Sequence, residues 1–379
     1  METTLPAVGA RATIDVSALT SLISLLKDQG YQVVGPTVRD GAVTCDIIEG
    51  IEDLPAGWGD EQSSGRYRLK KRGDTALFGH NLGPQGWKRY LHPAELPMFE
   101  GSRDGDAFRI LGNPVKVDKW AFLGVRPCEL AAIERLDGVF QGDRYVDPGY
   151  QARRRSALII AVNCTQAAGT CFCTSMGTGP RAQAGFDLAL TELAGRGLFV
   201  AEVGSNTGAD LLGQIPYREP EADETAAADA LVDQTGRGIE RKLDTAGLKE
   251  ALADSFESPR WDEVAVRCLS CANCTLVCPT CFCTTVEDLT DVAGRDAERW
   301  RKWDSCFTDS FSYIHGGSVR LSVKSRYRQW LTHKLAYWVD QFGKFGCVGC
   351  GRCITWCPGK IDITEEVAAI RGAAPVSNG

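Results

Sequence analysis

Two stretches of this 379-residue chain obey the same spacing rule, and that rule limits the fold more than any other feature. Cys268-Leu-Ser-Cys271-Ala-Asn-Cys274-Thr-Leu-Val-Cys278-Pro279 and Cys347-Val-Gly-Cys350-Gly-Arg-Cys353-Ile-Thr-Trp-Cys357-Pro358 both read C-x2-C-x2-C-x3-C-P. Three thiolates this close in sequence converge on one face of an iron–sulfur cube. The fourth, followed by proline, points away and, where two cubes are present, ligates the other one. The pattern predicts two crossed 4Fe-4S ligand sets: Cys268, Cys271 and Cys274 with Cys357, and Cys347, Cys350 and Cys353 with Cys278. A lone C-x2-C pair would suit structural zinc equally well. Tetrahedral zinc has no use for a third close cysteine and a Cys-Pro terminus, and here both occur twice.

Crossed ligation makes residues 279–346 a long insertion inside a ferredoxin-like domain that spans 261–379. At this length more than one domain is expected. The composition, 44% hydrophobic and 24% charged, is that of a globular protein. The formal charge of -7 gives no support to nucleic acid as the main partner, because phosphate binding needs a basic face. Sixteen cysteines in a long chain whose first residues show no basic n-region, apolar h-region or cleavage site predict a reduced, cytoplasmic protein rather than a disulfide framework. No apolar run is long enough to predict a membrane span.

The N-terminal part, 1–215, reads as an α/β domain. Asp15–Gly30 has apolar residues at helical spacing, with Asp15 as its cap, and Val33–Val34 and Val43–Ile48 are strands about an Asp40–Gly41 turn. Cys45, in the second of these, has no neighbouring ligand and is expected to be a buried core thiol. The basic runs Arg66–Arg72, Trp87–Arg89 and Arg320–Arg328 are expected on solvated faces, and the segment from Pro93 to Asp106 as loop. Trp120–Val125 and Ala157–Val162 are apolar strands, each followed by a turn, with helices expected over Glu129–Phe140 and Phe186–Leu193. Residues 216–260 read as an acidic, proline-bearing linker (Pro216–Thr225) followed by a helix over Ala226–Ser255.

Ligands in α/β domains gather at strand ends, and cysteines sit there: Cys128 and Cys164 each follow a strand, and Cys171 and Cys173 lie in the next loop. A third 4Fe-4S cluster is the preferred reading of these four. Zinc and uncoordinated thiols stay open, because the spacing is not a standard motif. Cys171-Phe-Cys-Thr174 recurs as Cys281-Phe-Cys-Thr284. With Cys306, the second copy leaves three thiols that form a fourth site with an unidentified ligand, take Cys278 from the second set, or remain buried thiols. His315 and His333 are expected to be packing residues, His333 being available as a missing ligand.

Several longer strings now count together: Leu123-Gly-Val-Arg-Pro-Cys-Glu-Leu130, Cys171-Phe-Cys-Thr-Ser-Met-Gly-Thr-Gly-Pro180 with Phe186-Asp-Leu-Ala-Leu-Thr-Glu-Leu193, Trp303-Asp-Ser-Cys306 and Cys347-Val-Gly-Cys-Gly-Arg-Cys353. In this order, across about residues 85 to 365, the chain resembles the β subunit of cytoplasmic nickel–iron sulfhydrogenases, and more distantly the electron-transfer subunit of anaerobic sulfite reductase. The resemblance implies a non-catalytic electron-transfer subunit of a soluble hetero-oligomer. Its partners would be a flavin-bearing, NAD(P)H-oxidising diaphorase subunit together with the small and large hydrogenase subunits, or a siroheme subunit in the sulfite-reducing version. A subunit held by zinc and serving only as scaffold is the reading of another class. The sequence shows neither G-x-G-x-x-G after a strand nor a P-loop, so nucleotide chemistry is expected on another chain.

Overall fold

The architecture follows from a run of apolar strands that must be covered on both sides. A computed structural model describes residues 5–105, 107–112, 117–142 and 144–372. In chain order its N-terminal elements are β1 (Arg11–Asp15), α1 (Val16–Asp28), β2 (Gln32–Arg39), β3 (Ala42–Ile47), β4 (Trp58–Ser63), β5 (Arg66–Lys71), α2 (Lys88–Leu91), β6 (Glu95–Asp104), β7 (Ala107–Gly112), β8 (Trp120–Val125), α3 (Pro127–Gln141), α4 (Pro148–Ser156), β9 (Leu158–Val162), β10 (Leu188–Leu193), β11 (Leu198–Val203) and α5 (Asn206–Leu212). One seven-stranded sheet runs β1-β11-β10-β9-β8-β2-β3. Its inner four strands, β10 to β2, are parallel, and the flanking pairs are antiparallel.

Alternate residues of β8 divide between two cores. Ala121 and Leu123 face α1 and its neighbours Leu19, Leu22, Ile23 and Leu26, whereas Phe122 and Val125 face Leu130, Ile133 and Leu136 of α3. That is the two-faced burial a parallel sheet requires. Asp15 caps α1 by accepting from the Ala18 amide at 2.8 Å, as its position suggests. Helix α3 starts at Pro127, two residues before the expected Glu129: proline suits the first helical position, and the Glu129 carboxylate reaches back to the Arg126 amide.

The remaining elements are α6 (Ala222–Arg237), α7 (Leu248–Asp254), α8 (Arg260–Arg267), α9 (Asn273–Leu276), β12 (Thr284–Thr290), β13 (Asp296–Trp303), β14 (Tyr313–Ile314), β15 (Gly317–Ser318), α10 (Val323–Thr332), a π-helical turn (His333–Tyr337), α11 (Trp338–Phe342), α12 (Arg352–Thr355) and α13 (Ile363–Gly372). A third core gathers Trp261, Phe307, Tyr327, Trp330, Leu335 and Ile354, with motif cysteines packed against it. Strands β12 and β13 join β6 and β7 in a four-stranded sheet, so residues between the two cysteine motifs pair directly with the N-terminal part. No helix among the described residues is long and apolar enough to cross a membrane.

Several expectations are corrected. Residues 188–193 form a strand, not a helix: all six are buried, Thr191 and Glu192 included, so the alternation of buried and exposed positions that marks a strand is missing. Pro93–Asp106 is not loop throughout, because β6 fills most of it and pairs with β13. The helix expected over Ala226–Ser255 is two helices, interrupted near Gly238 and Gly247. The acidic linker is tied down, with Arg218 pairing to the Thr13 backbone and gripping Glu224. Lys88 and Arg326 are buried rather than solvated.

Candidate metal centres

The two cysteine motifs trace one backbone path. In the first, Ser270 and Ala272 take left-handed conformations (φ 49° and 65°) before the short helix α9. In the second, Gly349 and Gly351 do so at the matching positions (φ 64° and 74°) before α12. Such alternation turns successive backbone amides inward and makes a concave nest for negative charge. Two amides already point at sulfur: Gly349 N to Cys347 Sγ and Ile361 N to Cys357 Sγ, both at 3.4 Å. Helices α9 and α12 pack against each other, which carries the end of each motif to the start of the other.

The consequence is visible in the first hollow. It is lined by Cys268, Cys271 and Cys274 together with Cys353 and Cys357, under Phe307, Tyr327 and Trp330. The fourth cysteine of the second motif therefore faces the first trio. On the other side, Cys278 lies close enough to Cys347, Cys350 and Cys353 to raise the pKa of each, although burial contributes most. Burial, more than any neighbour, pushes the Cys347 thiol up to about 12, a cost offset when a metal binds the thiolate and the proton is released.

Between these trios stands Lys334. Its Nζ donates to Cys278 Sγ at 3.1 Å and to Thr280 Oγ1 at 3.2 Å. Burial works against its charge, but Cys278, Cys281 and Cys347 outweigh it and hold the ammonium pKa well above the ordinary lysine value. Lys88 lies nearby, donating to the Cys281 carbonyl at 3.2 Å and capping the Trp303 ring at 3.9 Å. Neither lysine carries a sequence signal, since each reaches the cysteines only through tertiary packing.

The N-terminal thiols also converge. Cys128 at the start of α3, Cys164 after β9, and Cys171 and Cys173 in the following loop line one hollow with Arg126, Gln62 and Asn81. Burial raises the pKa of all four. Cys350 lines this hollow as well, a placement that no spacing rule predicts. The loop is bound to the second motif by Phe172 N donating to the Gly349 carbonyl at 2.9 Å and Thr178 Oγ1 to the Val348 carbonyl at 2.6 Å. Arg352 reaches from the motif to Glu129 of α3, whose other oxygen accepts from Trp87 Nε1 at 2.7 Å.

The three remaining motif-region thiols act on one another and on Cys278. The Cys281 thiol beside Cys278 lowers the latter's pKa, and the Cys306 thiol beside Cys283 pushes Cys283 down to about 7. His333 packs on Phe282 and Trp338, His315 is exposed, and Cys45 is buried in the sheet's second core. All sixteen cysteines are free. Among the described residues no three His, Cys, Asp or Glu side chains close on one point tightly enough to hold a single ion. The first and the N-terminal thiol sets instead surround hollows, and an all-sulfur donor set around a hollow fits a four-iron cube.

Comparison with known proteins agrees with this geometry. Residues 267–361 match the family model described as a 4Fe-4S dicluster domain. Over 271 residues the chain is 33% identical to sulfhydrogenase 2 subunit beta of Pyrococcus furiosus, covering 70% of this chain and 79% of that one. No solved structure gives a significant match.

Proposed function

Since the chain belongs to the family of sulfhydrogenase β subunits, we propose that it relays electrons between a nickel–iron hydrogenase module and an NAD(P)H-oxidising flavin subunit in a hetero-oligomer. The observation that carries this reading is the hollow that gathers Cys357 with Cys268, Cys271 and Cys274. A 4Fe-4S cube, when bound, supplies reversible one-electron chemistry with no bond made to substrate. The chain's own residues hold the irons, exclude water and aim amides at sulfur.

The proposed ligand sets are Cys268, Cys271, Cys274 and Cys357; Cys347, Cys350, Cys353 and Cys278; and Cys128, Cys164, Cys171 and Cys173. Cys281, Cys283 and Cys306 are candidates for a fourth site. Support for a series comes from shared residues: Cys353 borders the first hollow and Cys350 the N-terminal one, so the second motif lies between the other two sites. Cys271 is exposed, which leaves that end of the series open to a partner.

Anaerobic iron and sulfide analysis with EPR after dithionite reduction tests the relay. At least about eight irons per chain are expected, two cubes of four, and fewer would refute it. Cys357→Ser is expected to alter the same signal as Cys268→Ser, and Cys278→Ser the same signal as Cys347→Ser. If each cysteine acts with its sequence neighbours instead, the crossed sets are wrong. Nickel in the co-purified complex supports the hydrogenase partner, whereas siroheme would replace it with a sulfite-reducing one.

A further inference from the structure

Lys334 is 5% exposed, and among the described residues no carboxylate lies within ion-pair reach of its Nζ. Burying an ammonium group is costly unless negative charge sits beside it. Its polar partners are instead Cys278 Sγ and the hydroxyl of Thr280, itself 2% exposed and 3.2 Å from the same sulfur. The negative charge this site is built for must therefore be carried by sulfur.

The backbone is arranged for the same purpose. Lys334 lies in the π-helical turn His333–Tyr337, a departure from α-helix that often marks functional positions. Its carbonyl accepts from the Gly346 amide at 2.8 Å, immediately before Cys347. One residue thus anchors the entry to the second motif through its main chain and contacts the first motif's last cysteine through its side chain. The hollow of the first motif has no such group in its lining, which carries no lysine or arginine and is closed by Phe307, Tyr327, Trp330, Ile361 and Ile363, and Lys334 acts on its Cys274 without a hydrogen bond.

We propose that Lys334 is a positioning residue that raises the reduction potential of the cluster held by Cys347, Cys350, Cys353 and Cys278. This rests on the ligand sets proposed above. A fixed cation that donates to a ligating sulfur favours the form carrying one more electron, because reduction adds a negative charge beside it. The electron comes from dithionite in the test and from the donor subunit in the complex. Lys88, one layer further out on the Cys281 carbonyl and the Trp303 ring, reinforces the field without touching Cys278.

The test is an EPR-monitored redox titration of the purified hetero-oligomer, with the relevant signal assigned beforehand by Cys347→Ser. Lys334→Met is expected to keep wild-type iron and sulfide and to make reduction of that signal at least about tenfold less favourable, a midpoint about 59 mV lower for one electron. The other signals should move by less than a third of that. Lys334→Arg, which keeps charge and donors, should hold the midpoint within about threefold of wild type in the same equilibrium. An unchanged midpoint with full iron overturns the inference, as does an equal shift of every signal. Loss of the cluster from both variants also overturns it, reducing Lys334 to an assembly role. Failure of the parent reading looks different: too little iron in the wild type, or Cys347→Ser and Cys268→Ser disturbing one and the same signal.

Discussion

The first and second cysteine motifs share a backbone but not a neighbourhood, and position-by-position comparison shows what each is built to do. At the two left-handed positions the first motif carries Ser270 and Ala272, and the second carries Gly349 and Gly351. Left-handed backbone is permitted to both kinds of residue, at some cost for those with a Cβ. What differs is space. A Cβ on Gly349 would sit 2.7 Å from the Cys173 backbone, and one on Gly351 would sit 2.3 Å from the Thr170 carbonyl oxygen. The second motif is pressed against the N-terminal cysteine loop, whereas the first looks outward, with Cys271, Leu269 and Val266 exposed. At the next position the first motif has Asn273 and the second has Arg352, paired inside the protein with Glu129. One copy faces outward and the other joins the two halves of the molecule.

Exchanging matched positions probes that difference. Arg352→Met leaves the Glu129 carboxylate buried without its cation, and should cost about 3–5 kcal/mol in anaerobic urea unfolding. Both side chains are under 6% exposed, so solvent does little to soften the loss. A cost below about 1 kcal/mol would show that the motif is not anchored through this pair. Gly351→Ala should lose about 2–4 kcal/mol, from left-handed strain together with overpacking against Thr170. The reverse change, Ala272→Gly, should be neutral or stabilise by under about 1 kcal/mol. Equal effects at the two positions would erase the contrast. Asn273→Ala should cost least, about 1 kcal/mol or less, since it removes one hydrogen bond of 3.3 Å to the Trp356 carbonyl.

Much of this molecule can be read from residue order. Strand β8 and helix α1 appear where apolar spacing and a capping aspartate place them, because those signals are local. Residues 188–193 mislead for a physical reason: inside a sheet covered on both faces, the two-residue alternation that marks a strand disappears. Lys88 reads as solvated in sequence because the Trp303 ring that covers it is more than 200 positions away. Spacing assigns Cys350 only to its own motif, and nothing in it shows that this thiol also faces the N-terminal hollow.

By itself, the order of residues determined that the two trios of thiols would take matching backbone paths, since three cysteines within seven residues constrain the backbone whatever surrounds it. Only the tertiary structure decided which charges stand beside those thiols. Lys334 reaches Cys278 across 56 positions and Arg352 reaches Glu129 across 223. Contacts at such separations arise from the packing of sheets and helices, and no local pattern encodes them.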